Sequence, residues 1–409
     1  MRTRPFSIAF IVRDPLPPLR ADLVTLFGAE MPRHGVQTDL VGQGGGAGGT
    51  PWRAGGMHVV GSLKNRFASV LAPFWDAFGL LRAWRRARPD CIQVRDKVAS
   101  ALLALLAARL LRIPFVVWMS FPIVEGFEAR RDAMAQQRRW PAWLGHALRA
   151  WVSRPLVYRL VLPRAHHIFV QSDAMRDWLA TRGIGFERMT PVPMGVDAAL
   201  FDRGAILPSQ DPRLAGRRIV LYLGRVAQAR RSDFLLDVVL RLRVHLPDVL
   251  LVIAGDAPSS DDMVWMRTAI AVRGLGHHVL LTGWLAQGAA LGYAVRAEVG
   301  LSPIPRGELF DVSSPTKLVE YMALGIPGVA NDIPDQARVI EESGAGLCVP
   351  MQTDAFADAT LRLLQDPVLA ARCAERGPPW VAAHRTYDIL AQGVARAYQR
   401  ILVPCGPGP

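Results

Sequence analysis

The sequence predicts an α/β protein built from two doubly wound domains, each with a parallel sheet covered by helices. Short apolar runs rich in β-branched residues alternate with longer helical patterns along the chain. The alternation occurs twice, and the two series are separated at 197–217, where periodicity stops and Gly, Pro and Asp collect. A chain of 409 residues is also too long for one ordinary core. Apolar strands between helices are typical of parallel sheets buried on both faces.

Each half of the chain contributes one series of predicted strands. In the first half they are 6–12, 36–42, 57–60, 91–94, 115–119, 167–171 and 189–193. In the second half they are 218–224, 249–255, 278–283, 298–302, 328–330 and 346–350. We therefore predict an N-terminal domain at 1–196, an interdomain linker at 197–217 and a C-terminal domain at 218–377. The last segment, 378–409, contains a helix after paired prolines that could return to the first domain.

Composition indicates a folded globular protein without a membrane span. The most apolar stretch, 98–121, is interrupted by Arg109, Arg112 and Pro114, and neither piece is long enough to cross a bilayer. The basic N-terminus precedes an apolar run that lacks a small-residue cleavage site, which favours a first strand over a signal peptide. The cysteines are scattered without metal or disulfide spacing, which favours a reducing, cytoplasmic compartment.

The charge of the chain indicates an anionic partner. The formal net charge is +13 and comes almost wholly from arginine, since the lysines are only Lys64, Lys97 and Lys317. Such a field suits a nucleotide, a nucleic acid or an acidic membrane surface. No nucleic-acid-binding module is recognisable, so a nucleic acid is not expected.

The segment SSPTKLVEYMALGIPGVA, at 313–330, predicts an anion site at the start of a helix. We expect Ser314 to be the N-cap, Pro315 the first helical residue and Gly325 the residue after the helix end. Free N–H groups and the helix dipole favour an anion there, and Lys317 adds a full positive charge. Glu320, one turn on, suits a pair of neighbouring hydroxyls. The features together describe a nucleoside diphosphate, whereas the alternative is a surface ion pair between Lys317 and Glu320.

Three predicted strands of the second half end in glycine at the same edge of the predicted sheet. They read YLGR at 222–225, VIAGD at 252–256 and LLTGWL at 280–285. Arg230 and Arg231 stand at the start of the helix that follows the first of them. Ligands of parallel sheets bind beyond the carboxyl ends of the strands, and guanidinium groups suit phosphate oxygens.

This order of motifs resembles the donor-binding half of family 4 of the retaining glycosyltransferases. The resemblance extends to 166–201, which is similar to the end of the family's acceptor domain. It implies the GT-B architecture, in which two Rossmann-like domains face each other across a cleft. It also implies that Arg225 and Arg230 hold the donor diphosphate and carry catalysis, that Glu320 binds the ribose, and that Gly283 and Trp284 lie beside the base. The remaining donor-binding residues that it implies are Gly224, Asp311, Ser313, Ser314 and Lys317.

The chain departs from the family pattern at three places. A glutamate common in the family is replaced by Val312, with Asp311 and Glu308 near enough to substitute for it. A histidine common after the fifth strand is replaced by Ser120, with Glu125 shortly after. A Gly-Gly loop after the first strand is replaced by 13–22, which carries Arg20.

The polar residues at these first-domain strand ends are the candidates for acceptor contact and proton transfer. Ser120 and Glu125 are the catalytic candidates, and the acceptor-side candidates are Asp14, Arg20, Arg95 and Asp96. No Asp-x-Asp motif follows a strand, Asp261 and Asp262 are expected to be solvated, and no metal or other cofactor is expected.

The stretch 128–164 combines arginine and tryptophan on an apolar helical pattern. Eight arginines face only Glu128 and Asp132 as opposite charges. This pattern suits a helix that lies at an anionic membrane surface. The alternative is a solvated arginine face over an ordinary core helix.

These features predict a retaining glycosyltransferase at the inner face of a membrane. We expect it to move a hexose from a nucleotide sugar to a glycan acceptor, lipid-linked, in surface polysaccharide or glycolipid biosynthesis. The alternatives are a sugar-nucleotide epimerase of the same fold and a non-catalytic nucleotide-binding scaffold.

Overall fold

The computed structural model describes residues 4–45, 51–62, 68–257 and 259–403, so Lys64, Pro258 and Cys405 lie outside the described residues. The chain divides into two compact units. The first consists of Met1–Met194 together with Tyr387–Pro409, and the second of Gly195–Thr386.

Each unit contains one sheet in which all the paired strands are parallel. In the first unit the strands are β1 Phe6–Ile11, β2 Val36–Gly44, β3 Met57–Ser62, β4 Cys91–Arg95, β5 Phe115–Met119, β6 His167–Val170 and β7 Met189–Pro191. In the second they are β8 Arg218–Leu223, β9 Val249–Ala254, β10 Val279–Gly283, β11 Val299–Ser302, β12 Gly328–Asn331 and β13 Gly346–Val349. Each predicted strand is present, and the prediction of two Rossmann-like parallel-sheet domains is confirmed.

Helices connect the strands. In chain order the α-helices are α1 Met31–Arg33, α2 Ala68–Ala87, α3 Val98–Leu111, α4 Ile123–Gln136, α5 Trp140–Pro155, α6 Asp173–Ala180, α7 Phe234–His245, α8 Ser260–Val272, α9 Gln287–Ala294, α10 Glu308–Asp311, α11 Thr316–Ala323, α12 Pro334–Ser343, α13 Thr353–Gln365, α14 Pro367–His384 and α15 Tyr387–Leu402. Two segments are π-helical, Asp22–Glu30 and Leu156–Val161. No helix within the described ranges combines the length and the apolar character needed to cross a bilayer.

In each sheet, successive strands are first added toward one edge and then, after one crossover, toward the other edge. The first sheet has the order β3-β2-β1-β4-β5-β6-β7, and the second has the order β10-β9-β8-β11-β12-β13. The reversal lies between β1 and β4 in the first unit and between β8 and β11 in the second. Crevices at such switch points are the usual ligand sites of doubly wound sheets.

The second sheet is buried on both faces, which explains why its strands are apolar throughout. Along β8, Val220 and Tyr222 belong to one hydrophobic cluster, and Ile219, Leu221 and Leu223 belong to the other. Because successive side chains of a strand point to opposite faces, a strand between two cores has no position for a solvated residue.

The chain segments around the predicted linker and the last helix differ from the expected layout. The predicted linker, 197–217, lies in the second unit, where Phe201 and Leu214 are buried in the core. The paired prolines, Pro378 and Pro379, lie inside α14 and do not start a helix. The last helix is α15, which belongs to the first unit and packs against Asp22–Glu30.

His167 makes the stability of the first unit dependent on pH. Burial, assisted by Arg400, lowers the pKa of His167 to about 4 from its usual 6.5. The unfolded chain therefore binds a proton below pH 6.5 that the folded unit excludes, and stability is lost as the pH falls from 6.5 toward 4. We expect a loss on the order of 3 kcal/mol from this group. Urea unfolding across this range should show a shallower pH dependence for His167→Gln, and equal slopes for the two proteins would contradict the assignment.

Candidate functional site

The switch point between β8 and β11 brings the sequence motifs of the second unit together. Gly224, directly after β8, has a φ of 145°, and a Cβ atom there would lie 2.8 Å from Cε of Lys317 on α11. Gly255, directly after β9, lies so close to Gly224 that an added Cβ atom would be 2.2 Å from the Gly224 carbonyl oxygen. Both positions therefore require glycine, and the missing side chain of Gly224 leaves the space that the Lys317 side chain occupies.

The helix α11 begins one residue later than predicted. Pro315 is extended (φ −70°, ψ 133°) and occupies the N-cap position, so Ser314 is not the N-cap. The hydroxyl of Ser314 instead forms hydrogen bonds with Asp335 and Arg385. The end of the helix is as predicted, because Gly325 has a φ of 64° and donates to the carbonyl of Met322 at 3.0 Å. The N–H groups of the first turn, from Thr316 on, have no acceptor within the helix.

Lys317 is a buried cation that makes no ion pair with the described residues. Its side chain is only 7% exposed, and its Nζ lies 5.2 Å from the centre of the Tyr222 ring. Across the described part of the chain, no carboxylate oxygen lies within 4.0 Å of this ammonium. The alternative of a surface ion pair with Glu320 is therefore wrong. A buried ammonium that makes no ion pair at contact distance leaves room for the negative charge of an anionic ligand.

Glu320 lies one turn farther along α11 and is partly exposed. Burial raises the pKa of its carboxyl group, while Lys317 and the Thr316 hydroxyl act in the opposite direction. A carboxylate that is partly removed from water beside a cation is suited to accept hydrogen bonds from hydroxyl groups.

Arg225 and Arg230 are exposed on the loop that follows β8. Neither guanidinium makes an ion pair within the described residues, so both are available to an anionic ligand. Arg230 ends a short 3₁₀ turn, Gln228–Arg230, whose first N–H donates to Oδ1 of Asp262 at 3.1 Å. Asp262 also accepts from the Ser259 hydroxyl at 2.8 Å, and therefore fixes the arginine loop rather than being merely solvated.

The remaining residues predicted to bind the donor differ in whether their polar groups already have partners in the protein. The N–H of Ser313 donates to the carbonyl of Phe310 at 3.0 Å, so it is not free for phosphate as expected. Asp311 accepts from Nε of Arg306 at 2.8 Å, which already pairs the carboxylate predicted to replace the missing glutamate. Val312 is buried, as its apolar character requires. Trp284, after Gly283 at the end of β10, is 77% exposed and free to contact a ligand.

A buried cluster of Ser314, Asp335 and Arg385 supports the front of α11, and sequence reasoning did not find it. Nη2 of Arg385 lies 2.7 Å from Oδ1 of Asp335, and the Ser314 hydroxyl donates to Oδ2 at 2.8 Å. Nη1 of Arg385 donates to the same hydroxyl at 3.2 Å. The carbonyl of Arg385 also accepts from the N–H of Val196 at 2.8 Å. The cluster therefore joins the start of α11 to both ends of the second unit.

The first unit has its own polar cluster, at the switch point between β1 and β4. Arg95, at the end of β4, is 1% exposed and donates to Oδ2 of Asp22 at 2.7 Å, with Asp14 and Asp96 at 3.5 and 3.7 Å. Arg20 also donates to Asp22, at 3.0 Å. Nη1 of Arg95 is buried and has no hydrogen-bond partner among the described residues.

The carboxylates of this cluster have opposite pKa shifts. Burial alone would raise the pKa of Asp22, but Arg95 and Arg20 outweigh it and hold the pKa well below its usual range. Burial raises the pKa of Asp96, although Arg95 and hydrogen bonds from Ser120 oppose it. Both the N–H and the hydroxyl of Ser120 donate to Asp96. Asp22 is therefore held as a carboxylate, and Asp96 has the higher proton affinity of the two.

Glu125 contacts a different set of residues from the other first-unit candidates. Its Oε2 accepts from the Tyr158 hydroxyl at 2.7 Å, and Oε1 lies 3.8 Å from Arg154 and 3.9 Å from Arg182. The structure therefore brings together Asp14, Arg20, Arg95, Asp96 and Ser120. Glu125 lies apart from them, beside Arg154 of α5 and Arg182.

Family models match both units. Residues 24–195 match the model described as a glycosyl transferase 4-like domain, and residues 217–366 match the model described as glycosyl transferases group 1. The chain belongs to the group 1 glycosyltransferases. The resemblance inferred from the motifs is thereby confirmed.

Curated relatives of this glycosyltransferase are named for the transfer of different sugars. The chain is 32% identical over 189 residues to an alpha-D-kanosaminyltransferase of Streptomyces kanamyceticus, covering 46% of the chain and 47% of that protein. It is 29% identical over 238 residues to a phosphatidyl-myo-inositol mannosyltransferase of Mycobacterium tuberculosis strain H37Rv, covering 56% of the chain and 58% of that protein. The chain thus spans about half the length of the curated relatives it matches.

Solved structures share the fold of this glycosyltransferase along nearly the whole chain. Anabaena HepE in complex with UDP has a TM-score of 0.68 at 16% identity, covering 96% of this chain and 100% of that one. Sucrose-phosphate synthase from Thermosynechococcus elongatus has a TM-score of 0.71 at 18% identity, covering 97% and 99%. At these identities the likeness establishes the two-domain GT-B fold class and leaves the ligands to be argued from the site.

Proposed function

We propose that this protein transfers a hexose from a nucleotide sugar to a lipid-linked glycan or glycolipid acceptor, with retention of anomeric configuration. The observation that carries the proposal is Lys317, a buried ammonium at the switch point of the second sheet that makes no ion pair within the described residues. A nucleoside diphosphate supplies the missing negative charge. The solved relative HepE binds UDP, and the mycobacterial relatives are named as phosphatidylinositol mannosyltransferases, which supports this donor and acceptor chemistry.

The site supplies electrostatic catalysis without requiring a metal ion. As the bond between the sugar C1 and the diphosphate oxygen breaks, the sugar gains oxocarbenium character and the diphosphate gathers negative charge. Lys317 and the N–H groups at the start of α11 are held in place before the reaction, and Arg225 and Arg230 extend from the loop after β8. Fixed positive groups stabilise the transition state more than the ground state because the leaving group is more negative there.

We propose that the acceptor is positioned by the polar cluster of the first unit. The buried Nη1 of Arg95 needs an acceptor, and Asp96 with Ser120 can receive the proton of an attacking hydroxyl. The net charge of +13 supports a place of action on the cytoplasmic face of an anionic membrane, where lipid-linked acceptors are presented.

Glu320→Ala should weaken nucleotide binding by roughly ten- to a hundredfold, the loss expected when hydrogen bonds to a charged group are removed. Calorimetric titration with UDP, GDP and ADP measures the loss and names the base. Glu341→Ala, which removes an exposed carboxylate from α12, is the matched control and should bind normally. A folded Glu320→Ala protein with unchanged affinity would remove the ribose-binding role.

The reaction itself is tested by incubating the protein with a panel of nucleotide sugars and a lipid extract or lipid-linked glycan. The proposal expects a glycosylated lipid whose new linkage keeps the anomeric configuration of the donor, as read by NMR. A free, isomerised nucleotide sugar, or binding without any product, would overturn it.

A further inference from the structure

The helix α5 exposes a continuous apolar face. Trp140, Leu144, Leu148 and Trp151 are 60%, 62%, 57% and 76% exposed. Their spacing of four, four and three residues places them on one side of the helix, and Val152, 42% exposed, adjoins them. At about 100° per residue these side chains fill an arc of roughly 120°, and no charged residue of the helix falls within it.

The fully buried side chains of α5 are small, although Trp143 is half-buried, so most large apolar residues of this helix face outward. The side chains that are buried against the protein are those of Ala150 and Ser153. The solvated arginine face over a core helix, which the sequence allowed, is therefore not what the fold produces. Large apolar residues that face outward mark a surface that binds another apolar phase or partner, which removes them from water.

Positive charge without counter-ions borders this apolar face. Arg138, Arg139 and Arg149 make no ion pair among the described residues, and neither does Arg130 on α4. Burial and the neighbouring Arg13 and Arg149 lower the pKa of Arg130, which reports like charges held close together. An anionic partner would relieve this repulsion, whereas an uncharged one would leave it in place.

A groove of about 820 Å³ lies beside the same helix, against α4 and the π-helical turn Leu156–Val161. Its lining combines the apolar side chains of Trp151 and Leu156 with four guanidinium groups and one carboxylate. These charged residues are Arg131, Arg154, Arg159, Arg182 and Glu128, of which Glu128 pairs with Arg154 at 2.7 Å. Arg159 is exposed and has no ion-pair partner in the described part of the chain. Guanidinium groups around an apolar floor match a phosphate group that is attached to a hydrocarbon chain.

We propose that α5 lies in the headgroup layer of an anionic bilayer, with its apolar face in the acyl region and a lipid phosphate in the adjoining groove. The proposal deepens the proposed function, on which it rests for the lipid-linked nature of the acceptor. A second copy of the chain fits less well, because a two-fold contact through α5 would set the bordering arginines of one copy against those of the other. A bilayer of anionic lipid satisfies the apolar face and the charge together.

Vesicle sedimentation tests this surface without any sugar nucleotide, so its outcome does not depend on transferase activity. The full-length protein is mixed with phosphatidylcholine vesicles that contain either no anionic lipid or about a third phosphatidylglycerol. We expect binding to the anionic vesicles that weakens with salt, and at least tenfold weaker binding by Leu148→Glu/Trp151→Glu. Arg159→Ala should bind about fivefold more weakly, the effect of one basic residue at a charged surface.

The control is Val264→Glu/Val272→Glu, which places the same two charges on exposed apolar residues of the second unit, 63% and 80% exposed. It should bind vesicles as the unaltered protein does, and melting curves establish that each variant is folded. Glycerol phosphate added in solution should not displace the protein, because a free phosphate lacks the apolar phase. Displacement by it, failure to bind anionic vesicles, or a dimer in light scattering that Leu148→Glu/Trp151→Glu dissolves would each overturn the proposal.

Discussion

Lys317→Met is expected to reduce kcat by about a hundred- to a thousandfold while leaving the protein at least as stable as before. The loss of activity is the size expected when one fixed positive group that faces the developing charge is removed. Stability does not fall, because methionine fills a similar volume and replaces a buried ammonium that makes no ion pair within the described residues. The opposite directions of the two effects distinguish a functional cation from a structural one.

Lys97→Met is the matched control, because Lys97 is the other lysine among the described residues. Its ammonium donates to Asp76 at 2.9 Å and to Gln43 at 2.7 Å inside the first unit. Removing it leaves the buried Asp76 carboxylate without its cation, so this variant should lose stability. Thermal melting and steady-state kinetics on both variants check the pair. If Lys317→Met melted lower than the unaltered protein, or kept full kcat, Lys317 would be a structural residue.

Arg385→Leu is expected to destabilise the second unit by about 3–5 kcal/mol, because it leaves Asp335 as a buried charge without its main partner. The pair is 2.7 Å apart, and the side chains are 3% and 2% exposed. The start of α11 should also shift, because Arg385 and Asp335 together hold Ser314. Urea unfolding measures the stability, and nucleotide titration measures the consequence for the donor site.

Two further variants separate the burial of a charge from the loss of a contact. Arg338→Leu removes a cation that lies 3.6 Å from the same carboxylate but is 39% exposed, so it should cost less than about 1 kcal/mol. Arg385→Leu/Asp335→Leu removes both buried charges and should recover part of the lost stability. A double variant no more stable than Arg385→Leu alone would show that the unpaired buried charge of Asp335 is not the cause.

The strands and the donor motifs could be predicted because each depends on residues close together in the sequence. Apolar runs such as Ile219–Leu223 predict strands from local composition. Gly325 predicts a helix end because glycine readily adopts the positive φ found there. The strand–helix alternation then fixes parallel pairing. Lys317 and Glu320 could be singled out because they lie one turn apart on the same helix.

Contacts between distant segments could not be predicted from the sequence. The hydroxyl of Tyr321 accepts from the N–H of Leu223 at 2.9 Å and donates to the carbonyl of Leu301 at 3.1 Å, which joins the ends of β8 and β11. A Cβ atom at Gly300 would lie 2.4 Å from the Tyr321 ring, so this glycine makes room for the contact. None of these residues carries a local signal, since each depends on where the others are placed.

The sequence by itself determined the two parallel-sheet domains and the order of their strands along the chain, and it predicts which residues surround a donor diphosphate. Only the tertiary structure decided which of the charges are paired. It buries Lys317 without an ion pair in the described part of the chain, pairs Asp311 with Arg306, and turns the apolar face of α5 outward. The physical reason is that hydrophobic periodicity is a property of one segment, whereas burial and ion pairing are set by every segment packed around a group.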